Sequence, residues 1–78
     1  MWYVYILECR NGDYYKGCTN NIDDRIDRHE KGWVASTKDN LPVRLVHYAV
    51  FFDQTKAYAF EKYLKSGSGR AFLKKHLV

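Results

Sequence analysis

Proline and methionine each occur once and cysteine twice in this chain of 78 residues, and no apolar run is long. Each scarcity closes off a class of protein. Cys9 and Cys18 stand outside any paired C-x-x-C or histidine-rich spacing, so the pattern contains neither a disulfide framework nor a zinc site, and a reducing cytoplasm is the expected setting. No stretch approaches the roughly 18–20 apolar residues that span a bilayer. The segment "MWYVYILECR" offers neither a basic leader nor a small-residue cleavage site, so no anchor or signal peptide is expected. Internal repeats, low-complexity tracts and linkers are missing too, and a single domain over residues 1–78 is expected. A chain this short buries only about 60–65% of its unfolded surface, so its core must be dense in large side chains. Seven Tyr, four Phe and two Trp supply that density.

Acidic residues are scarce in one part of the chain only. Residues 55–78 set Lys56, Lys62, Lys65, Arg70, Lys74 and Lys75 against Glu61 alone, whereas residues 1–54 balance seven basic side chains with eight acidic ones. A basic segment of this kind favours a polyanion partner, with a solvated helical face as the plain alternative.

The order of elements reads as ββαβαα. Trp2 to Cys9 is aromatic and β-branched, Arg10-Asn11-Gly12-Asp13 is a turn signal, and Tyr14 to Thr19 reads as the returning strand. Asn20 and Asn21 can cap a helix from Ile22 to Lys31, with Asp23 and Asp24 in its first turn and Gly32 after its end. Residues 33–41 lack a sustained period and read as a loop closed by Pro42. Val43 to Phe52 reads as a strand, and Asp53 or Thr55 can cap a helix from Lys56 to Lys65. "SGSG" at 66–69 is expected to break the chain before a final helix from Arg70 to Leu77. The fold class is therefore α+β, a three-stranded antiparallel sheet flanked by helices.

Within these elements, three features admit a functional reading beside a structural one. In the first helix, Ile22, Ile26 and His29 share one stripe and Arg25 lies about 60° to one side of it, so an arginine and a histidine flank a face that should meet the sheet. Either can still be structural, Arg25 laying its stem over the core and pairing with an acid, His29 half-buried with its nitrogens satisfied. In the second helix, Ala57, Phe60 and Leu64 define the buried face and Glu61 falls inside it. Burying an unpaired carboxylate costs several kcal/mol, so Glu61 needs a metal, a cation such as Arg25 or a lysine, or hydrogen bonds. The hairpin supplies the third: with an odd-numbered loop and Gly12 left-handed, Tyr5 lies opposite Gly17 and Tyr15 opposite Leu7, so both phenols share a face. With an even two-residue turn they point to opposite faces, and the sequence permits both registers. A glycine opposite Tyr5 would clear room for a ligand backbone, or be an ordinary strand break.

Taken together, Tyr3-Val4-Tyr5, Tyr15-Lys16-Gly17, "NNIDDRIDRH" and Glu61 within "AFEKYLKSGSGRAFLKK" resemble, in order and spacing, the motifs of the GIY-YIG nuclease family, specifically its small stand-alone bacterial members. The resemblance covers nearly the whole chain. It implies that Tyr5, Tyr15, Arg25, His29 and Glu61 surround one catalytic pocket, and it favours the odd hairpin register. Glu61 would hold a single divalent ion, Mg²⁺ or Mn²⁺, with waters and a substrate oxygen completing the shell, as suits an ion that needs few protein carboxylates beside a phosphate. Arg25 would hold the scissile phosphate and stabilise its growing charge. A tyrosine, Tyr5 first and Tyr15 second, would help activate water. With a reference pKa near 10, that phenol would have to be depressed by Arg25, Lys16 or the metal. His29 would orient a tyrosine or assist proton transfer.

The implied activity is metal-dependent hydrolysis of DNA phosphodiester bonds, structure-selective and in repair or recombination. Lys16, Gly17, Lys38, Lys65, Arg70 and Lys74 would contact the backbone, with a partner protein as a further source of specificity. The alternative is a nucleic-acid-binding module of the same fold with little or no catalysis. Three positions depart from the family pattern. Tyr3 replaces a glycine, Lys16 replaces an aliphatic residue, and the last segment offers Arg70 and His76 where some members have an asparagine. Lys16 adds charge if it faces the pocket, and otherwise places an ammonium where core is expected.

Overall fold

The computed structural model describes residues 1–78. In chain order the elements are β1 (Trp2–Glu8), β2 (Tyr14–Thr19), α1 (Ile22–Glu30), a 3-10 turn at Lys38–Asn40, β3 (Arg44–Phe51), α2 (Gln54–Leu64) and α3 (Gly67–His76). This is the expected ββαβαα order, and the sheet is antiparallel with strand order β2-β1-β3. The central strand is the most apolar one, and Val4, Tyr5, Ile6 and Leu7 are buried in succession. A strand covered on both faces has no reason to alternate.

The two faces of β1 serve different ends. Val4 and Ile6 point toward α2 and α3 and form the main core with Ala57, Leu64 and Leu73, with Phe51, Phe60 and Phe72 packed around it. Tyr5 points the other way, where α1 brings His29 against it. The hairpin that joins β1 to β2 takes the odd register: Tyr5 pairs with Gly17 and Leu7 with Tyr15. Cys9 and Asp13 close its loop through a 2.8 Å backbone hydrogen bond, and Gly12 takes a φ of 88°, the left-handed conformation such a loop requires. No helix is long and apolar enough to cross a membrane.

Each helix begins at a side-chain cap. Asn21 accepts from the Asp24 amide, Asp53 from the Thr55 amide, and Ser66 from the Gly69 amide. The last of these corrects the expected chain break at "SGSG". Gly67, Ser68 and Gly69 are the first turn of α3, not a spacer before it. The reason is tertiary. A Cβ at position 69 would run into the Tyr63 carbonyl and the Leu64 Cα, so the close α2–α3 approach requires glycine there. Similarly, α2 starts two residues before Lys56 because Asp53, not Thr55, is its cap.

Candidate active site

Tyr5, Tyr15 and His29 form one aromatic cluster on the α1 face of the sheet. The Tyr15 and His29 rings lie 5.0 Å apart, Tyr5 and His29 5.7 Å, and the two phenol rings 6.3 Å. Gly17 makes the cluster possible in a way that differs from the expected one. It is buried, and the space its missing side chain leaves is filled by the Tyr5 phenol. The Tyr5 phenol, not a ligand backbone, takes the room cleared there, and Gly17 itself is buried.

His29 is completely buried, more so than the half-buried histidine of the structural alternative. Its two nitrogens are both engaged, Nε2 with Tyr5 Oη at 2.9 Å and Nδ1 with Thr37 Oγ1 at 2.7 Å. A neutral imidazole has one donor and one acceptor, so this chain is satisfied in either direction. Thr37, itself buried, carries no signal in the sequence. It sits in an irregular loop, and only the folded chain brings it within reach of α1.

Arg25 lies against the same cluster, and its charge acts on both phenols. It pairs with no acid, contrary to the structural alternative, and its Nε is buried without any hydrogen-bond partner. A buried donor left unpaired is costly, by about 1–3 kcal/mol, and Arg25 Nε is the one buried side-chain polar atom in the chain in that state.

The expected depression of the Tyr5 phenol is not what the surroundings produce. Burial first, then the Tyr15 phenol, push Tyr5 up to about 12, and the opposing pull of Arg25 does not offset them. Tyr5 is fully buried, whereas Tyr15 keeps part of its surface exposed. Of the two phenols, Tyr15 is therefore the one open to solvent.

Glu61 sits at the margin of the buried stripe of α2, with 19% of its side chain exposed, and its carboxylate lies 3.5 Å from Lys65 Nζ. The lysine pairing anticipated as the structural alternative is thus present. Its charge also reaches Tyr5 and the thiol of Cys18, both of which it helps push up. No group of three or more metal-ligating side chains occurs. One largely sequestered carboxylate fits a hard divalent ion that keeps its waters and takes substrate oxygens, and does not fit a cage built from protein alone.

The expected backbone-contacting residues separate into groups. Lys38 is exposed beside Thr37. Lys16 projects from β2 on the face away from Tyr15 and lines a cavity with Arg70 and Lys74, and Lys65 lies near enough for its charge to be felt at Lys16. The ammonium thus stands at the rim of the helical side, where core was the expectation.

The cluster gives stability a defined pH window. Burial, then Arg25, hold the His29 imidazole below its ordinary 6.5, so the unfolded chain takes up the proton first as pH falls. Stability is complete above that value and declines below it, by up to about 1.4 kcal/mol per pH unit, until the folded imidazole also protonates. Tyr5 acts at the other end. Its neutral form is favoured in the fold, so stability is complete below pH 10.0 and is lost as pH rises from there to about 12. Urea midpoints should be flat from about pH 7 to pH 9.0, where the Cys9 and Cys18 thiols, pushed up by burial, begin to add to the alkaline loss, and His29→Gln should remove the decline between pH 7 and 5. An unchanged acid limb in that variant would assign the decline to other groups.

Comparison with known proteins bears on what this cluster is. The sequence profile of the GIY-YIG catalytic domain matches residues 1–75. UPF0213 protein CPE1444 of Clostridium perfringens is 41% identical over 66 residues, 83% of this chain and 71% of that protein. UPF0213 protein BH0048 of Halalkalibacterium halodurans is 41% identical over 69 residues, 87% of this chain and 73% of the relative. The solution NMR structure of BH0048 superimposes with a TM-score of 0.61 at 35% identity, covering 96% of this chain and 84% of that one. Some relatives are matched over slightly less than two thirds of their length, as with the 66% of the Bacillus licheniformis protein. With the domain matched almost end to end, the chain belongs to the GIY-YIG nuclease family, among its small stand-alone bacterial UPF0213 proteins.

Proposed function

We propose that this chain is an endonuclease that hydrolyses DNA phosphodiester bonds with one divalent ion, Mg²⁺ or Mn²⁺, selecting its substrate by DNA shape during repair or recombination in the cytoplasm. The observation that carries this reading is the Arg25 guanidinium, free of any acidic partner and set beside two tyrosines, in a chain whose family profile is a catalytic domain. A guanidinium held there can donate to the non-bridging oxygens of a phosphate and offset the charge that grows as a nucleophile attacks. Glu61 would hold the ion, which when bound supplies charge neutralisation at the phosphate.

In this reading a water oxygen forms a new bond to phosphorus as the bond to the departing nucleotide breaks, leaving a phosphate monoester and a hydroxyl. Tyr15 is the group placed to take the water proton. Tyr5, His29 and Thr37 position its ring from behind and hold no contact with solvent of their own. With so little surface around the cluster, base readout has no platform, and shape or a partner protein sets specificity.

A second reading, a nucleic-acid-binding module without cleavage, draws support from the Lys65 ion pair at Glu61 and the raised Tyr5 phenol. Labelled single-stranded, duplex, nicked, flapped and branched DNAs incubated with Mg²⁺, Mn²⁺ or chelator separate the two. Metal-dependent cleavage of at least one substrate, stopped by chelator, is expected. Salt-sensitive binding with every substrate intact would leave the module reading standing instead.

A further inference from the structure

On the side of β2 away from Tyr5 and Tyr15, a cavity of about 450 Å³ is lined by Lys16, Arg70 and Lys74, with Tyr14 and Leu73 beside them and Asp13 as its one carboxylate. None of the three cations forms an ion pair, although Asp13 lines the same cavity. Lys16 is also partly buried, and its ammonium makes a weak 3.4 Å hydrogen bond to the Tyr14 carbonyl. Burial, then the charges of Arg70, Lys65 and Lys74, hold that ammonium below its ordinary pKa. Gathering like charges in a concave, partly desolvated place costs free energy unless an anion enters.

We propose that this cavity is a phosphate-binding subsite, separate from the catalytic cluster, in which Lys16, Arg70 and Lys74 hold one phosphate of the bound nucleic acid. The subsite rests on the nucleic-acid reading above. Arg70 and Lys74 are one helical turn apart on α3 and so present to the same side, the guanidinium offering a planar fork and the two ammoniums point charges. Three cations against Asp13 leave a surplus of two positive charges, enough for an internal diester or for a terminal monoester with nearly two negative charges. Placement supports the same conclusion. Lys16 and Tyr15 are neighbours on an edge strand and project from its two faces, so a nucleic acid crossing the rim of β2 meets the subsite and the catalytic cluster in turn. The Lys16 departure from the family pattern thereby acquires a role.

The test is an NMR titration of the full chain, without divalent metal, using inorganic phosphate, sodium chloride at matched ionic strength, and short oligonucleotides with a 5′-phosphate or a 5′-hydroxyl. Saturable shifts at the amides of residues 12–14 and 70–74 with phosphate but not chloride are expected. Lys16→Gln combined with Arg70→Gln should weaken oligonucleotide binding by about tenfold or more and lower its salt slope by about one. Preference for the 5′-phosphorylated strand would identify a terminal monoester as the ligand, and equal affinity an internal diester. Shifts that never saturate, or that spread over every lysine, would overturn the subsite, as would unchanged affinity in the double variant. Cleavage of DNA without these shifts sinks the subsite alone. Saturable phosphate and oligonucleotide binding by a chain that cuts nothing keeps the subsite and sinks the catalytic reading.

Discussion

Glu61→Gln is expected to lower the rate of DNA cleavage by about a thousandfold or more while the protein remains folded. The two halves of that expectation have different physical sources. Glutamine keeps the volume and shape of the side chain but removes the charge that holds a divalent ion, and an effect of about 4 kcal/mol on the barrier corresponds to about three orders of magnitude in rate. Stability changes little, because the only ion pair lost is the one to Lys65, whose side chain is 54% exposed, and exposed pairs are worth at most about 1 kcal/mol. Single-turnover cleavage at saturating protein, measured beside the urea midpoint, reads both halves. A variant that folds and cuts within tenfold of the parent would remove Glu61 from the metal site. One that no longer folds would show instead that the carboxylate is a structural partner of Lys65. Glu61→Asp adds a useful contrast, since it keeps the charge and withdraws it by one methylene.

How far this site can be read from sequence depends on which physical step fixes each residue. Periodicity alone puts His29 and Arg25 beside the sheet-facing stripe of α1, and it marks Glu61 as a carboxylate in an apolar stripe, because both are properties of a single helix. The Tyr5–Gly17 pairing is different. Asn11-Gly12 suits an even turn as well as an odd loop, and only the Cys9–Asp13 hydrogen bond with Gly12 left-handed selects the register found. The family resemblance had to supply that choice. Thr37 lay beyond both routes, since nothing in a non-periodic loop announces that its hydroxyl will reach a histidine eight residues earlier. "SGSG" misleads for a related reason. Glycine and serine are the usual marks of a chain break, but at position 69 glycine is imposed by the backbone of α2, a contact that exists only after the helices pack. The height of the Tyr5 pKa was also out of reach: Arg25 was legible as a neighbour that lowers it, whereas the burial and the Tyr15 phenol that raise it depend on the folded packing.

Gly17→Ala is expected to destabilise the fold by about 2–4 kcal/mol and to disable the catalytic cluster with it. A Cβ at this position falls inside van der Waals contact with Oη, Cζ and Cε1 of Tyr5. A phenol end in open solvent would swing aside at little cost, but Tyr5 is fully buried and tied to His29 at 2.9 Å. Relief therefore requires either overpacking, at about 1–3 kcal/mol, or loss of the hydrogen bond that leaves a buried polar group open, at about 1–3 kcal/mol more. For a chain of 78 residues whose whole stability is of order 4–12 kcal/mol, that is a large fraction. The cause can be isolated by a double-mutant cycle. Tyr5→Leu removes the colliding atoms, so Gly17→Ala placed on that background should cost clearly less than on the parent, with a coupling of about 1 kcal/mol or more. Additive losses would mean that the alanine acts on the strand backbone and not on the phenol. In the parent background, displacement of Tyr5 also unseats His29 and with it the support behind Tyr15, so cleavage should fall further than the loss of folded protein accounts for. Cleavage that tracks the folded fraction alone would separate Tyr5 packing from the catalytic geometry and limit Gly17 to a structural role.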